Sequence, residues 1–334
     1  MLTIKAIRFL NAVFINNTAG NTGGGAFFSS SNAVSFNSTI LMGNSAGHRG
    51  GALHFDSKNV VQMKDCTLSY NTAVNGGAMS VFSVSSVNFY GSISFRSNHA
   101  SQHGGAVFMG EGSALFLLGE TSFIGNNATV NGGAILSSAS VLTLGVRPIL
   151  FKGNAAGQGS VFRLIDLSLI RISPSNTSIT FQDNRCNGRG GTVSWIKELN
   201  SSYGDFTADT ILNFKRIVYL NNSARFGNIS STQATRLQFV GNTSVAKYHS
   251  ALQPQPTVHL LDYFSNKDIT DSESLVTATV EKSNCSGRQG YLLGDTTGVT
   301  SGGDAQFSNL AAICFPGGNM ILKYTGKRRH LMRL

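Results

Sequence analysis

The sequence predicts an all-β chain, with a right-handed parallel β-helix over residues 1–249 and a small β-sandwich over residues 250–334. Three observations predict this architecture. Two short motifs recur in constant phase with a period near 27 residues, and the pattern ends shortly before Pro254. The composition includes 38 glycines but only 5 prolines, which suits many short strands joined by tight turns. Charged residues make up 13% of the chain, well below the share of a typical globular domain, so a solvated helical bundle is excluded.

The first motif is an aromatic or aliphatic residue followed by two variable residues and an asparagine, as in Phe95–Asn98 and Phe123–Asn126. A period of this length fits one coil of a β-helix. Successive coils stack at about 4.8 Å, so we expect the asparagines to form one column at a corner, with their amides bonded to one another. The predicted column comprises Asn44, Asn71, Asn98, Asn126, Asn154 and Asn184.

The second motif is Gly-Gly-Ala/Thr-apolar, and it follows each asparagine by five to seven residues. We expect these glycines to form corners with positive φ, which glycine adopts without steric cost. The residues after each pair alternate in the manner of a strand, with Leu53 and Phe55 on one face and Ala52 and His54 on the other. Three strands and three corners fit into one coil. The corner glycines are Gly50, Gly51, Gly76, Gly77, Gly104, Gly105, Gly132, Gly133, Gly190 and Gly191.

The two motifs together, as in FRSN followed by GGAV or FIGN followed by GGAI, resemble the repeats of the polymorphic outer membrane proteins of chlamydiae. Similar repeats occur in giant surface proteins of protists and algae. The resemblance covers about residues 9–245, although the coil at 157–161 lacks the glycine-pair signature. It implies a surface-exposed protein whose β-helix acts in adhesion, located extracellularly or at the cell surface, in the outer membrane if bacterial. The implied partner is a protein or glycan on a host or neighbouring cell.

The charge distribution argues against a nucleic-acid partner. The net charge is +10, and residues 1–250 contain 18 basic and 9 acidic residues. These basic residues are scattered singly, whereas a duplex-binding protein carries a dense stripe or a recognisable motif. Affinity for anionic surfaces or acidic glycans remains compatible with this charge. The one basic cluster is predicted to be a solvated tail and comprises Lys327, Arg328, Arg329 and Arg333.

No segment has the roughly 18 consecutive apolar residues that a membrane helix needs, so the sequence predicts no membrane span within this chain. The N-terminal stretch contains Lys5 and Arg8 before a short apolar run that ends at Asn11. A signal peptide has a longer apolar region and a small-residue cleavage site. We therefore interpret this stretch as the remainder of an earlier repeat.

The C-terminal part follows a different pattern, and Pro254 and Pro256 mark the change. Short strands alternate with turns, and the Asp262–Asn266 turn, the Gly303–Phe307 strand and the Pro-Gly turn at 316–317 resemble immunoglobulin-like modules of the filamin or bacterial surface type. The resemblance extends over about 75 residues, which is short for a sandwich of about 100. Such modules commonly act as spacers.

The four cysteines form no CxxC pair and no cluster with histidine, which argues against a zinc site. Cys285 and Cys314 lie in the same module and are candidates for a disulfide in an oxidising compartment; otherwise they are free thiols. Cys66 and Cys186 lie four coils apart, about 19 Å at the strand spacing, which is too far for a disulfide. We expect these two to be small buried hydrophobic residues.

The alternative function is that of a polysaccharide lyase or hydrolase, because carbohydrate-active enzymes often use β-helices of the pectin-lyase-like type. Such chemistry requires converging carboxylates, or a carboxylate with a basic partner. Asp65 and Glu120 share a phase two coils apart, about 9.6 Å along the axis, with Ser92 between them. No basic or aromatic subsite accompanies this pair, so we predict a chain without catalytic residues or cofactor.

Two polar clusters are further candidates for a metal site. The first lies at one corner together with Asn75 and Asn131, and comprises His48, His99 and His103. One imidazole per coil does not supply convergent ligands, so we expect a solvated corner. The second comprises Asp262, Asp268, Asp271 and Glu273. It lacks the spaced oxygen ligands of a calcium loop, so we expect a polar turn.

The sequence also contains nine N-glycosylation sequons, which are compatible with a glycosylated surface protein. They stand at Asn16, Asn37, Asn127, Asn176, Asn200, Asn221, Asn228, Asn242 and Asn284.

Overall fold

The computed structural model describes residues 6–29, 33–145, 147–166, 168–172, 178–195, 216–232, 234, 236–241, 250–285, 288–314 and 318–327. The expected turn at 316–317, the basic residues 328–333 and the sequons at 176, 200 and 242 lie outside these residues. The chain divides into two compact units, residues 1–231 and 232–334.

The first unit is a parallel β-solenoid, which confirms the predicted fold class. Each coil contributes strands to three sheets, and strands of successive coils pair in parallel and in register, as in Phe95↔Phe123↔Phe151. Positions one repeat apart in the sequence therefore lie directly above one another. This register explains why residue types recur in constant phase, since each column has one environment along the whole stack.

Sheet A has 13 strands, β1 (Ala6–Leu10), β2 (Val13–Ile15), β5 (Ala33–Asn37), β6 (Ile40–Met42), β9 (Val60–Ser69), β12 (Ser86–Arg96), β15 (Ala114–Leu117), β16 (Glu120–Ile124), β19 (Val141–Leu144), β20 (Ile149–Lys152), β23 (Leu169–Ile172), β24 (Ile179–Gln182) and β27 (Ile217–Leu220). Sheet B has eight strands, β3 (Thr18–Ala19), β7 (Ser45–Ala46), β10 (Thr72–Asn75), β13 (His99–His103), β17 (Asn127–Asn131), β21 (Ala155–Gln158), β25 (Arg185–Arg189) and β28 (Ser223–Phe226). Sheet C has eight strands, β4 (Ala26–Ser29), β8 (Leu53–Asp56), β11 (Met79–Val81), β14 (Val107–Met109), β18 (Ile135–Ser138), β22 (Phe162–Ile165), β26 (Val193–Trp195) and β29 (Ser230–Thr232).

A typical coil contains four strand segments rather than the three expected, because sheet A takes two segments from it. The two segments meet at a bend in the left-handed region, with φ of 51° at Asn11, 49° at Ser38 and 52° at Asp65. Both segments remain hydrogen-bonded within one sheet, and in β9 and β12 they form one continuous strand. The alternation of apolar and polar residues in the sequence does not distinguish a bend within one sheet from a corner between two sheets.

The interior is filled by columns of apolar side chains. The aromatic rings of the first motif stack face to face in sheet A, with centroids 4.8 Å apart for Phe95–Phe123, 5.0 Å for Phe123–Phe151 and 5.2 Å for Phe151–Phe181. In sheet B a column of small side chains, including Ala100 and Ala128, is almost fully buried. Large side chains thus lie under sheet A and small ones under sheet B.

The second unit contains a six-stranded antiparallel sheet and a separate two-stranded one. The order of the larger sheet is β30 (Arg236–Val240), β31 (Thr257–Leu261), β35 (Asp304–Gln306), β34 (Thr297–Ser301), β32 (Leu275–Asn284) and β37 (Asn319–Lys327). The smaller sheet pairs β33 (Tyr291–Leu293) with β36 (Ala311–Ile313). The first and last strands of the larger sheet approach each other, with the Phe239 and Tyr324 ring centroids 5.7 Å apart. Its core includes Val276 and Phe307, both with no exposed surface.

This second unit differs in two respects from the expected immunoglobulin-like module over residues 250–334. Its six strands form one nearly closed hydrogen-bonded sheet, whereas a sandwich packs two separate sheets face to face. The unit also begins earlier, because β30 pairs antiparallel with β31, as in Phe239↔Val258. The resemblance to the repeats over about residues 9–245 includes residues 236–240, which instead belong to the second unit.

Candidate functional site

The predicted asparagines form a continuous hydrogen-bonded column inside the solenoid. The Nδ2 group of Asn98 donates to the Oδ1 atom of Asn126 at 2.9 Å and to the backbone carbonyl of Leu68 at 3.0 Å. The Oδ1 atom of Asn98 accepts from both the backbone N–H and the Nδ2 group of Asn71, each at 3.0 Å. Every hydrogen-bonding group of this buried amide is therefore paired. The same pattern links Asn44, Asn71, Asn98, Asn126, Asn154 and Asn184, and it extends to Asn17 and Asn222.

A left-handed residue precedes each asparagine of the column. Its φ is +56° at Tyr70, +50° at Ser97 and +63° at Gly125. This conformation turns the chain from sheet A into sheet B. A non-glycine residue adopts it at a cost of about 1–2 kcal/mol, so several coils contain a strained corner that the amide column holds in place.

The two glycines of each pair have different roles, exemplified by Gly104 and Gly105. Gly104 has a φ of +65°, the conformation expected for a corner glycine. Gly105 has no positive φ, and a Cβ atom there would overlap the backbone carbonyl of Gly133 in the next coil. The first glycine therefore provides a left-handed backbone, and the second allows close approach of adjacent coils. The first role is shared by Gly50, Gly76, Gly132 and Gly190, and the second by Gly51, Gly77, Gly133 and Gly191.

The coil without the glycine-pair signature keeps this geometry. Gly159 has a φ of +62° and occupies the first position, while Ser160 occupies the second. The β22 strand that follows pairs in register with β18 and β26. The Ser160 hydroxyl donates to the carbonyl of Gly191 in the next coil.

Two columns of side chains flank the glycine pairs on the outside of the solenoid, and we call them together the corner surface. The first column is the residue before each pair, namely Thr22, Arg49, Asn75, His103, Asn131, Gln158, Arg189 and Phe226. The second column points outward from sheet C five residues later, namely Phe27, His54, Ser80, Phe108, Leu136, Arg163, Ser194 and Ser231.

Side chains of the corner surface contact one another across the glycine pairs. The Arg49 guanidinium lies 4.4 Å from the ring centroid of Phe82, which follows β11. The His103 and Phe108 ring centroids lie 6.4 Å apart. Phe108 in turn packs edge-on against Phe82 at 4.9 Å. Cationic, imidazole and aromatic groups thus form one connected layer outside the β-helix.

This corner is more buried than the solvated corner that the sequence predicts. Asn75 is 7% exposed and Asn131 is 8% exposed. His103 is half-buried, and its Nδ1 atom lies 3.2 Å from the Nδ2 group of Asn131. The repeat pattern missed this burial because the covering side chains are contributed by neighbouring coils.

Several polar atoms in the corner surface are buried and have no hydrogen-bond partner among the described residues, and they include Asn75 Oδ1, Asn131 Oδ1, Arg49 Nε and Ser231 Oγ. A buried polar group without a partner costs about 1–3 kcal/mol. Such atoms are uncommon in native proteins and call for an explanation.

The histidines of the corner surface are uncharged at neutral pH. Burial lowers the pKa of His54 to about 4, and the nearby Asp56 carboxylate offsets only part of this effect. Its Nδ1 atom lies 2.5 Å from the Ser80 hydroxyl oxygen. Burial, and next the positive charge of Arg163, lower the pKa of His103. His48 and His99, the other two histidines of the predicted cluster, are exposed, and the charge of His48 makes a small further contribution to lowering the pKa of His54.

The carboxylate pair of the enzyme alternative lies on the outer side of sheet A. The Asp65 carboxylate accepts a hydrogen bond from the backbone N–H of Ser92 at 2.9 Å, which stabilises the bend of the next coil. Ser92 pairs in register with Glu120, which is exposed. Asp65 Oδ1 therefore has a structural partner.

The cysteines fall into two classes. Cys285 and Cys314 form a disulfide in the second unit, with Cα atoms 5.1 Å apart. Cys66 and Cys186 are free and buried. Burial raises the pKa of both thiols, so neither has the thiolate character of a reactive cysteine.

The acidic residues of the second unit bind their own loops. The Asp262 carboxylate accepts from the backbone N–H groups of Phe264 and Asn266 and from the Asn266 amide. Asp271 accepts from the Ser274 hydroxyl at 2.8 Å. Within the part of the chain that the structure describes, no group of three or more histidine, cysteine or acidic side chains is arranged to hold a metal ion.

No described residue is helical, so the described residues include no helix long and apolar enough to cross a membrane. The sequons that the structure describes lie on the surface or are partly exposed, and comprise Asn16, Asn37, Asn127, Asn221, Asn228 and Asn284.

Comparison with known proteins gives one short match. The family profile described as Chlamydia polymorphic membrane protein repeat matches residues 120–138. This segment includes β16, the Asn126 corner, β17 and the glycine pair before β18. No curated protein and no solved structure matches the chain.

Proposed function

We propose that this chain is a non-catalytic, surface-displayed adhesion or structural protein that binds its partner through the side of the solenoid. The partner would be a protein or glycan of a host or neighbouring cell, and the location would be extracellular or at the cell surface. The main observation that supports this proposal is the corner surface. This surface extends over eight coils, and cationic, aromatic and amide side chains recur along it.

Two further observations support a surface protein of this kind. The match to the chlamydial membrane-protein repeat covers one complete corner of the coil, and both motifs of that repeat recur in the other coils. A solenoid presents equivalent positions at regular intervals, so many weak contacts can combine into strong attachment.

The geometry gives the enzyme alternative little support. General acid and base groups must reach the same bond directly or through one water. Asp65 is instead bound to the Ser92 backbone, and Glu120 belongs to the exposed outer face of β16.

The test uses the complete chain coupled to fluorescent beads and added to cultured cells. We expect saturable attachment that an excess of soluble chain abolishes. Non-saturable attachment, or none on a panel of cell types, would contradict adhesion. A parallel assay measures new reducing ends and unsaturated products from uronic and neutral polysaccharides. Turnover that disappears in Asp65→Ala or Glu120→Ala would establish the enzyme instead.

A further inference from the structure

The corner surface alternates hydrogen-bond donors and acceptors from one coil to the next. From the second coil to the fifth, the residue before the glycine pair is Arg49, Asn75, His103 and Asn131. In the sixth coil it is Gln158, and Arg163 lies five residues later. Arg49 donates, as does the remaining N–H of His103, while the Asn75 and Asn131 oxygens accept. Arg163 is buried, and its guanidinium donates to the Ser194 hydroxyl oxygen at 2.6 Å. Like groups therefore recur every two coils, about 9.6 Å apart.

The positions of the unpartnered atoms coincide with this alternation. The Asn75 and Asn131 amide oxygens are both buried acceptors without a partner among the described residues. Arg49 Nε is a buried donor that likewise has no partner among the described residues. A ligand that supplies a donor to each oxygen and an acceptor to the guanidinium would remove the cost of leaving these atoms unpaired.

The charge of the corner surface selects an anionic ligand. Among its described residues it contains Arg49, Arg163 and Arg189 but no carboxylate. The nearest acidic residue along a strand is Asp56, two residues beyond His54. Arginine guanidinium groups bind carboxylates or sulfates through paired hydrogen bonds. The rings of Phe82 and Phe108 add an aromatic surface beside these groups.

We propose that the corner surface binds a linear polysaccharide in which an acidic sugar alternates with a neutral sugar. The acidic groups pair with Arg49 and His103, and the hydroxyl or amide N–H groups of the neutral sugars pair with Asn75 and Asn131. Two coils correspond to about the length of one disaccharide. Arg49 and His103 are half-buried side chains next in register to Asn75. Binding in this mode requires these side chains to rotate toward the ligand, so that the buried amide oxygens become accessible. This assignment rests on the proposed function and specifies its ligand.

The test measures binding of the complete chain to four probes by titration calorimetry. Hyaluronan oligosaccharides alternate a uronic acid with an N-acetylated sugar, polygalacturonate has an acid on every sugar, chitin oligosaccharides are neutral, and polyglutamate is an acidic peptide. We expect hyaluronan to bind most tightly. Equal or tighter binding of any other probe, or no binding of hyaluronan, would overturn the proposal.

A matched pair of variants separates the corner surface from net charge. Arg49→Gln removes a corner arginine, and Arg96→Gln removes an exposed arginine of sheet A. We expect Arg49→Gln to weaken hyaluronan binding about tenfold, because a charge-assisted hydrogen bond is lost. Arg96→Gln should change it less than about twofold. Equal effects would assign the binding to general charge attraction and overturn the site.

Asn75→Ala tests the acceptor and distinguishes a binding role from a structural one. Its side-chain oxygen has no partner among the described residues, so we expect weaker hyaluronan binding with an unchanged thermal midpoint. Unchanged binding would overturn the role of Asn75. Saturable attachment to cells by a chain that does not bind hyaluronan would refute this ligand while leaving the proposed function intact.

Discussion

Replacing Asn98 by alanine tests whether the asparagine column stabilises the stack. The substitution removes two donated bonds, to Asn126 and to the Leu68 carbonyl, and both bonds accepted from Asn71. Asn126 Oδ1 keeps the Asn98 backbone N–H as a donor at 3.1 Å. Three buried groups therefore lose a partner, namely the Leu68 carbonyl, the Asn71 backbone N–H and one N–H of the Asn71 amide. At roughly 1–3 kcal/mol for each buried group, with partial relaxation, the free energy of unfolding should fall by about 4 kcal/mol.

The measurement is urea denaturation followed by circular dichroism, together with amide hydrogen exchange. Exchange is needed because a solenoid can unfold locally around one coil. The control is Asn127→Ala, since Asn127 is the next residue along the chain and is exposed. We expect the control to lose less than about 0.5 kcal/mol. A loss below about 1 kcal/mol for Asn98→Ala, or equal losses for both variants, would refute the role of the column.

Three more predictions follow from single residues. Tyr70→Gly should raise the free energy of unfolding by about 1 kcal/mol. Tyr70 is 63% exposed with a φ of +56°, and glycine relieves this backbone strain at some cost in chain entropy. A variant that is less stable than the parent in urea denaturation would contradict this. Gly105→Ala should cost about 3 kcal/mol through overlap with the next coil, whereas Gly20→Ala, which has open space around it, should be near neutral in the same titration. The pKa of His54 is about 4 in the folded chain against 6.5 ordinarily, so the unfolded chain binds the extra proton between these values. The contribution of His54 to the free energy of unfolding should therefore fall by up to about 3 kcal/mol as the pH drops from 6.5 to 4. In pH-dependent denaturation, His54→Gln should show a flatter profile over this range.

The sequence predicts the solenoid well because its coils are in register. Residues one repeat apart share one environment, so the positions of Phe123 and Asn126 within the repeat are enough to indicate where they lie in the coil. The small residue two positions after each asparagine, such as Ala128, is part of the same signal and could have been included. The sequence could not distinguish the role of Gly105 from that of Gly104, because a positive φ and a close approach of the backbone both require glycine.

Features that depend on contacts between non-equivalent positions were not predictable in this way. The corner surface is buried because Arg49 extends to Phe82, which lies in another coil and another column. The second unit has no repeat, and its sheet order depends on long-range antiparallel pairs such as Val276↔Gly326. Local alternation is compatible with many such pairings, so it indicated strands without their arrangement.

The asparagine column is insensitive to the length of chain between its members. Its amide bonds connect residues 27, 28, 30 and 38 positions apart, and all have lengths of 2.8 to 3.0 Å. Eleven additional residues between Asn184 and Asn222 thus leave the spacing of the coils unchanged. Evolution can therefore lengthen a coil outside its strands, and add new side chains there, without changing the positions of neighbouring coils. The same tolerance would make this solenoid a suitable scaffold for displaying grafted peptides at a fixed spacing.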